Sequence, residues 1–254
     1  MRSAKIDRKQ FVRRRKGELW DGFELCCRDG AEWRIGKKIS EKSRLAPAQF
    51  SSTGNGKAEA QAVYHCEQII RGKPTGTKAV AKVRMQVPPD YPLSLSSVAR
   101  AKIAEEEPAG WSRLELQSLR YFNEKKCKVV PRLLNVVRSW QDGRDMPVPN
   151  GYLVFLVIEE VPGMSLIDFW EYDRPKRDKI RAAFRRSLTE QLNLHAHPSD
   201  CKLDNLVYDE RTDKCYFVDF ESIRVKEEKP PLKFADYHYF LWGLAYTDYC
   251  DDYF

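Results

Sequence analysis

The sequence lacks features that mark several large classes of protein. Its seven cysteines are an odd number and none are spaced as C-x-x-C, which argues against a zinc ribbon and against a disulfide framework. The longest apolar run, residues 152–158, is too short to span a bilayer, and no signal-like apolar segment follows the N-terminus. We therefore expect a cytoplasmic protein.

The composition is that of a folded chain with a modest excess of positive charge. With 254 residues, of which 42% are hydrophobic and 12% aromatic, the chain can bury one sizeable core or two smaller ones. Lys and Arg number 44 against 37 Asp and Glu, a net charge of +7. This excess favours anionic partners such as phosphates or nucleic acid, but a basic solvated surface would have the same composition.

One stretch, residues 195–223, concentrates the side chains that suit a metal site. Asp200 lies five positions before Asn205, and a turn-rich linker then leads into an apolar strand that ends at Asp219. A hard cation such as Mg²⁺ needs a few fixed oxygen ligands while substrate phosphates supply others, and Asn205 and Asp219 suit that role. Asp200 would lie near the hydroxyl or water to be activated.

These motifs resemble the protein-kinase-like superfamily, which includes the small-molecule kinases for aminoglycosides and choline. The D-x-x-x-x-N spacing and the following Asp-Phe are similar to the catalytic loop and the metal-binding motif of that superfamily. The third residue of the second motif is Glu221, and Asp-Phe-Glu is closer to choline kinases than to protein kinases. Upstream, Pro198 stands where the family has a histidine, and His197 precedes it.

The resemblance implies an α+β, two-lobed protein-kinase-like fold, with an antiparallel sheet in the N-lobe and a shortened, mostly helical C-lobe. We expect a basic N-terminal extension with a hairpin over residues 1–48, the N-lobe over 49–160 and the C-lobe over 161–254. The alternation around Asp29-Gly30 predicts the hairpin at residues 22–35, and the polar residues 36–43 are predicted to be a connector.

The resemblance also implies a nucleotide site. Gly54 and Gly56 form a G-x-G that would cradle phosphates, although an ordinary turn has the same sequence. Lys82, in a strand reading A-V-A-K-V, corresponds to the lysine that contacts the nucleotide, and Glu115, on a helical pattern, to its acidic partner. The alternatives are a solvent-facing lysine and an exposed helix acid.

Further elements follow in the order that the resemblance implies. Apolar strands are predicted at 134–140 and 152–160, and the second leads into Glu160 and Val161, where the family has a hinge whose backbone binds adenine. A mainly helical segment over 168–194 is rich in basic residues. Near the end of the chain Asp236 is the candidate for an aspartate that clamps the catalytic loop. Only 33 residues follow Glu221, from which we expect no protein substrate.

Three functions remain open on the sequence alone. The first is an ATP- and Mg²⁺-dependent phosphotransferase acting on a small molecule, with Asp200, Lys82 and Glu115 as catalytic residues. The second is a kinase-like scaffold reassigned to tRNA-dependent chemistry, as in the fungal arginine-containing cyclodipeptide synthases. The third is a pseudokinase that only binds partners. Residues that could contact tRNA through a basic surface are Arg13, Arg14, Arg15, Arg181, Arg185 and Arg186.

Overall fold

The structure is a computed structural model that describes residues 20–44, 57–88, 96–221, 223–225 and 230–246. Gly54, Gly56 and the three N-terminal arginines Arg13, Arg14 and Arg15 lie outside these ranges. Within the ranges, no helix is both long enough and apolar enough to cross a membrane. The chain divides into two compact units: Met1–Arg113 with Leu133–Glu160, and Leu114–Arg132 with Val161–Phe254.

The first unit is built on an antiparallel sheet. Its described strands follow the order β1-β2-β3-β4-β6-β5. Their bounds are β1 (Glu24–Cys26), β2 (Glu32–Arg44), β3 (Glu59–Ile70), β4 (Lys73–Gln86), β5 (Leu133–Trp140) and β6 (Tyr152–Glu159). Two helices are described between β4 and β5, α1 (Ser97–Ala101) and α2 (Gly110–Glu124), and the boundary between the two units falls within α2. The sheet therefore includes the hairpin that the sequence places in an N-terminal extension.

The predicted connector at residues 36–43 is wrong, because β2 continues through it to Arg44. The strand pairs with β3 along this stretch, with irregular register around Lys38. The C-terminal half of β2 is mostly exposed, so its polar side chains point to solvent while its backbone still completes the hydrogen bonds to β3. Side-chain polarity therefore concealed the strand.

Aromatic residues fill the core of the first unit. Trp20 and Phe23 both pack against Phe155 of strand β6, with ring centroids 5.1 and 5.9 Å away. Strand β6 is buried along almost its whole length, as its continuous apolar sequence predicts.

A buried carboxylate ties β3 to β6 and to the start of α2. Glu59 is fully buried and accepts hydrogen bonds from the Trp111 indole at 2.9 Å, the Ser112 hydroxyl at 2.6 Å and the Tyr152 hydroxyl at 3.0 Å. Burial, followed by the charge of Glu59, raises the pKa of Tyr152, so the phenol remains a donor. The Arg84 guanidinium lies 4.0 Å from Glu59.

The second unit is organised around helix α3 (Arg174–Asn193). A short strand β7 (Met164–Ser165) and a 3₁₀ helix (Leu166–Glu171) precede it. After it come β8 (Ala196–His197), a 3₁₀ helix (Leu203–Asn205), β9 (Leu206–Asp209), β10 (Lys214–Phe217), β11 (Arg224–Val225) and α4 (Tyr237–Leu241). The core surrounds Phe184 of α3, whose ring packs against those of Phe217, Tyr239 and Trp242.

Strand β7 joins the β9–β10 hairpin at a close backbone approach. It pairs with β9 through Met164 and Ser165. The residue before it, Gly163, has φ +120°, and a Cβ at that position would lie 2.3 Å from the carbonyl oxygen of Tyr208. Glycine is therefore required for this crossing.

The six cysteines within the described ranges are free thiols. Cys66 lies in the first unit and Cys215 in the second, and both are buried. Burial raises the pKa of each to about 12, so both thiols remain protonated at neutral pH.

Candidate functional site

Helix α3 delivers the loop that carries Asp200. The Asp173 carboxylate caps the helix by accepting from the Lys176 backbone N–H at 3.0 Å. After the last turn, His195 adopts a left-handed conformation, with φ 56°. The chain then reverses into β8, where His197 pairs with Arg224 of β11. Both ends of the loop that follows are therefore fixed by secondary structure.

Asn205 connects Asp200 to the segment that carries Asp219. Its buried amide Nδ2 donates to the Asp200 carbonyl at 2.9 Å and lies 3.4 Å from the Asp200 carboxylate. Its backbone carbonyl accepts from the Val218 N–H at 2.9 Å. Because Nδ2 is engaged within the loop, Oδ1 is the side-chain atom of Asn205 that could bind a cation.

Asp219 follows the β9–β10 hairpin, but strand β10 ends at Phe217, two residues earlier than the sequence indicates. Asp219 has φ 72°, a conformation that costs energy for a residue with a side chain and that occurs often at functional sites. The hairpin is fixed at its turn by Asp209, whose carboxylate accepts from the Thr212 hydroxyl at 2.6 Å and from the Arg211 N–H. Those bonds hold the pKa of Asp209 below its usual value.

Asp200 and Asp219 line one small cavity of the second unit. The Pro198–Ser199 turn and Gln191 of α3 line the same cavity, together with apolar side chains such as Phe217 and Trp242. The structure therefore brings together two of the acids that the sequence singles out, with Asn205 bonded to the first of them.

Lys202 is a member of this group that the sequence reasoning missed. Its ammonium lies 3.1 Å from the Asp200 carboxylate. Burial lowers the pKa of Lys202, but the hydrogen bond and charge of Asp200, with the charges of Asp204 and Asp219, outweigh it and raise the pKa. The spacing of Asp200 and Lys202 carried a signal, because residues i and i+2 of an extended chain project to the same side. The backbone of Lys202 is extended.

Other candidates of the second unit take different positions. Glu221 is buried two residues after Asp219, and His197 is half-buried in β8. Asp236 is exposed at the start of the five-residue helix α4, and its side chain makes no capping hydrogen bond. The buried polar residue of that helix is His238, whose Nδ1 lies 3.0 Å from the Ala235 nitrogen and 2.8 Å from its oxygen. Burial lowers the pKa of His238 despite that contact.

The nucleotide-site candidates belong to both units, and each is described within its own. Lys82 lies on β4 between Val63 of β3 and Leu156 of β6 and is 8% exposed, so it is not a solvent-facing lysine. Glu115 on α2 is fully buried, so it is not an exposed helix acid. Buried charges need compensating partners. The pairing of these two residues stays a prediction.

The predicted hinge residues Glu160 and Val161 fall on either side of the division between the units. Glu160 follows β6, and its carboxylate lies 3.2 Å from Nδ1 of His65 in the first unit. Val161 begins the second segment of the second unit and is half-buried. Their predicted role in binding adenine stays a prediction.

The basic side chains of α3 are largely compensated. The sequence predicts Arg181 on a basic surface, but the residue is buried, with 7% of it exposed. It donates to the Leu244 carbonyl at 2.8 Å and pairs with Asp178 at 2.9 Å. Arg186 pairs with Asp213 at 2.6 Å. Arg185 is exposed and lies over the ring of Phe234. A phosphate backbone would therefore meet less free charge than the sequence indicates.

The donor set around Asp200 is suited to a hard cation. Among the described residues no cluster of three His, Cys, Asp or Glu side chains could hold a metal alone. Mg²⁺ does not require such a cluster, because it binds through one or two carboxylates with waters and substrate phosphates completing its octahedron. The carboxylate of Asp219 and Oδ1 of Asn205 are oxygen ligands of that kind, so the residues present fit this cation.

Comparisons with known proteins gave structural similarity alone. No family model and no curated protein sequence matches the chain. A solved structure of the kinase PK-1 of the Cydia pomonella granulovirus is similar over 77% of this chain and 53% of its own, with 17% identity and a TM-score of 0.43. The bifunctional kinase-methyltransferase WbdD is similar over 76% and 36%, with 18% identity and a TM-score of 0.40. The chain thus spans about half of the first of these proteins and about a third of the second.

Proposed function

We propose that the protein is a phosphotransferase of kinase-like fold that transfers a phosphoryl group from ATP to a small-molecule acceptor. The observation that carries the proposal is the bonding of Asn205, whose side chain holds Asp200 and whose carbonyl holds the segment of Asp219. Phosphoryl transfer needs positioning and charge compensation more than covalent chemistry by the protein, and a rigid group of this composition provides both.

Each side chain has a role that follows from its position. The Asp200 carboxylate, half-exposed to solvent, would accept a hydrogen bond from the acceptor hydroxyl and orient it for attack. Asp219 and Asn205 would hold Mg²⁺, which when bound neutralises the phosphate oxygens. Lys202 stays protonated beside Asp200 and supplies a positive charge at the loop.

The first unit would contribute the remaining parts as the resemblance implies. Its antiparallel sheet carries Lys82 in a buried position, where a cation for nucleotide phosphates is expected, and Glu115 would be its partner. The glycines Gly54 and Gly56 would approach the phosphates, and the backbone of Glu160 and Val161 would bind adenine. We also propose that the protein acts in the cytoplasm.

Transfer of labelled phosphate from ATP to a panel of hydroxyl and amine acceptors tests this function. We expect Asp200→Asn to lower turnover by about 10²–10⁴-fold, because the orienting carboxylate is lost while the shape of the side chain is kept. The matched control is Asp168→Asn, an exposed aspartate of the same unit, which should retain full turnover.

Binding gives an independent readout. ATP with Mg²⁺ at about 100 times its dissociation constant should raise the free energy of unfolding by about 2.7 kcal/mol. If millimolar ATP and Mg²⁺ neither shift the melting temperature nor support transfer, the phosphotransferase proposal is wrong. Steeply salt-dependent binding of tRNA would then favour the acyl-transfer function. Binding of neither ligand would favour a pseudokinase.

A further inference from the structure

A polar side chain that none of these roles uses lines the same cavity. Gln191 is on the buried face of α3, one turn beyond Ser187 and Leu188, at a position where the helical period places a core residue. It is fully buried. Neither Nε2 nor Oε1 of its amide forms a hydrogen bond with any described residue.

A buried primary amide without hydrogen bonds is unfavourable, since it has lost its contacts with water and gained none in return. An apolar residue of similar size would pack at this position at no such cost. A glutamine here is therefore expected to bind something that enters the cavity, and its neighbours indicate what that is.

The size of the cavity limits the occupant. Its volume is about 10 Å³, which is the space that one water molecule requires and is too small for an organic substrate. The lining of the cavity also includes Pro198, Ser199 and Asp200, whose backbone carbonyl oxygens each have two lone pairs and can accept a hydrogen bond from a water. A single water is therefore the occupant that this space admits.

We propose that Gln191 is a positioning residue, and that its amide holds one water which fixes the Pro198–Asp200 turn and thereby the direction of the Asp200 carboxylate. The inference rests on the proposed function for its catalytic consequence, but the bound water and the fixed turn are properties of the folded chain alone. Asn205 holds Asp200 from the C-terminal side of the loop, and the water would hold it from the helix side.

The test compares Gln191→Leu with Gln117→Leu, which makes the same change at an exposed position of α2 in the same unit. Hydrogen exchange is measured at the amides of residues 199–202 and of β9. We expect Gln191→Leu to speed exchange in the loop about tenfold while β9 is unchanged, because only the loop loses a support. Gln117→Leu should alter neither.

Kinetics separate positioning from a general loss of structure. Gln191→Leu should lower kcat about tenfold to a hundredfold with the KM for ATP unchanged, because a displaced carboxylate affects the reaction more than nucleotide binding. If instead the variant has a raised melting temperature, native loop exchange and native kcat, Gln191 is only an unsatisfied core residue and the proposal is overturned.

A crystal structure of the unsubstituted protein decides the matter if Gln191→Leu does not fold. One density peak at about 3 Å from both the Gln191 amide and the turn would support the proposal, and a direct bond from the amide to another side chain would overturn it. Absence of ATP-dependent transfer by the unsubstituted protein would refute the proposed function. The exchange and crystallographic results would still decide the role of Gln191.

Discussion

At the scale of single residues, the second unit combines buried polar groups with unusual backbone conformations. His195 and Asp219 both have positive φ, the first where α3 turns into β8 and the second where the hairpin ends. Neither is a glycine, so the fold bears a conformational cost before the Asp200 loop and again at Asp219. Asp219 itself lines the cavity, and His195 precedes the strand that leads to the Asp200 loop.

His238 provides a residue-scale prediction about pH. Its folded-state pKa lies below the ordinary value near 6.5, so the unfolded chain binds the extra proton more readily. The contribution of neutral His238 to the free energy of unfolding is therefore fully present above about pH 6.5 and is lost as the pH falls toward the folded-state pKa. We expect the free energy of unfolding in urea to decrease between about pH 7.5 and 5.5.

His238→Phe should flatten that decrease, since a phenyl ring can keep the stacking on Phe234 and Tyr237 without binding a proton. Gln117→Leu, at an exposed position of α2 in the same unit, changes no titratable group, so as the control it should leave the pH dependence as it is. An unchanged slope in His238→Phe would assign the pH dependence to other groups.

At the scale of elements, the strands and long helices are the part of the fold that sequence patterns reveal best. Continuous apolar sequence predicted β6, and helical periodicity predicted α2, because burial of one strand or one helix face determines both patterns. The pattern of polar and apolar side chains did not predict the part of β2 over residues 36–43, which is held by backbone pairing with β3.

Side-chain direction and local turns were harder to predict. The sequence could not orient Lys82, because burial of a charged residue depends on neighbours distant in the chain. Lys202 was missed because its contact with Asp200 depends on the backbone of one short loop. The mixed fold with an antiparallel sheet agrees with the sequence prediction.

The approach of Gly163 to β9 gives an element-scale prediction. Gly163→Ala should destabilise the second unit by at least about 1–3 kcal/mol, because it places a Cβ against the Tyr208 backbone in a strained conformation. Gly76→Ala is the control: its φ is also positive, at +84°, but no atom lies within 4 Å of the added Cβ. Urea unfolding of both variants measures the difference, and equal losses would contradict the close approach.

The buried carboxylate of Glu59 gives a second prediction at this scale. Glu59→Gln removes the charge that Arg84 faces and turns a donor NH₂ toward Trp111, Ser112 or Tyr152, so we expect a loss of about 3–5 kcal/mol in unfolding free energy. Glu67→Gln on the same strand β3 is the control and should cost less than about 1 kcal/mol. A small loss for Glu59→Gln would show that its hydrogen bonds are easily replaced.

At the scale of the whole molecule, the net charge of +7 overstates the charge that α3 has available for a polyanion. Acidic neighbours compensate Lys176, Arg186 and the buried Arg181. We expect tRNA to bind weakly, with a slope of log K against log salt shallower than about −3, which corresponds to few phosphate contacts. Fluorescence anisotropy at several salt concentrations measures it.

A slope of about −6 or steeper would contradict this expectation and favour the tRNA-dependent function. The variant with Arg13, Arg14 and Arg15 replaced by serine then identifies the source of the charge. A slope that becomes shallow in this variant assigns tRNA binding to the N-terminal arginines, and an unchanged slope assigns it elsewhere.

The two buried thiols make the opening of each unit visible by chemical labelling. Cys66 and Cys215 are protonated and shielded in the native chain, so an alkylating reagent can modify each only during moments when its surroundings unfold. Mass spectrometry of digested samples taken over time would give two modification rates from a single reaction. The native chain thus carries one internal reporter of opening for each unit.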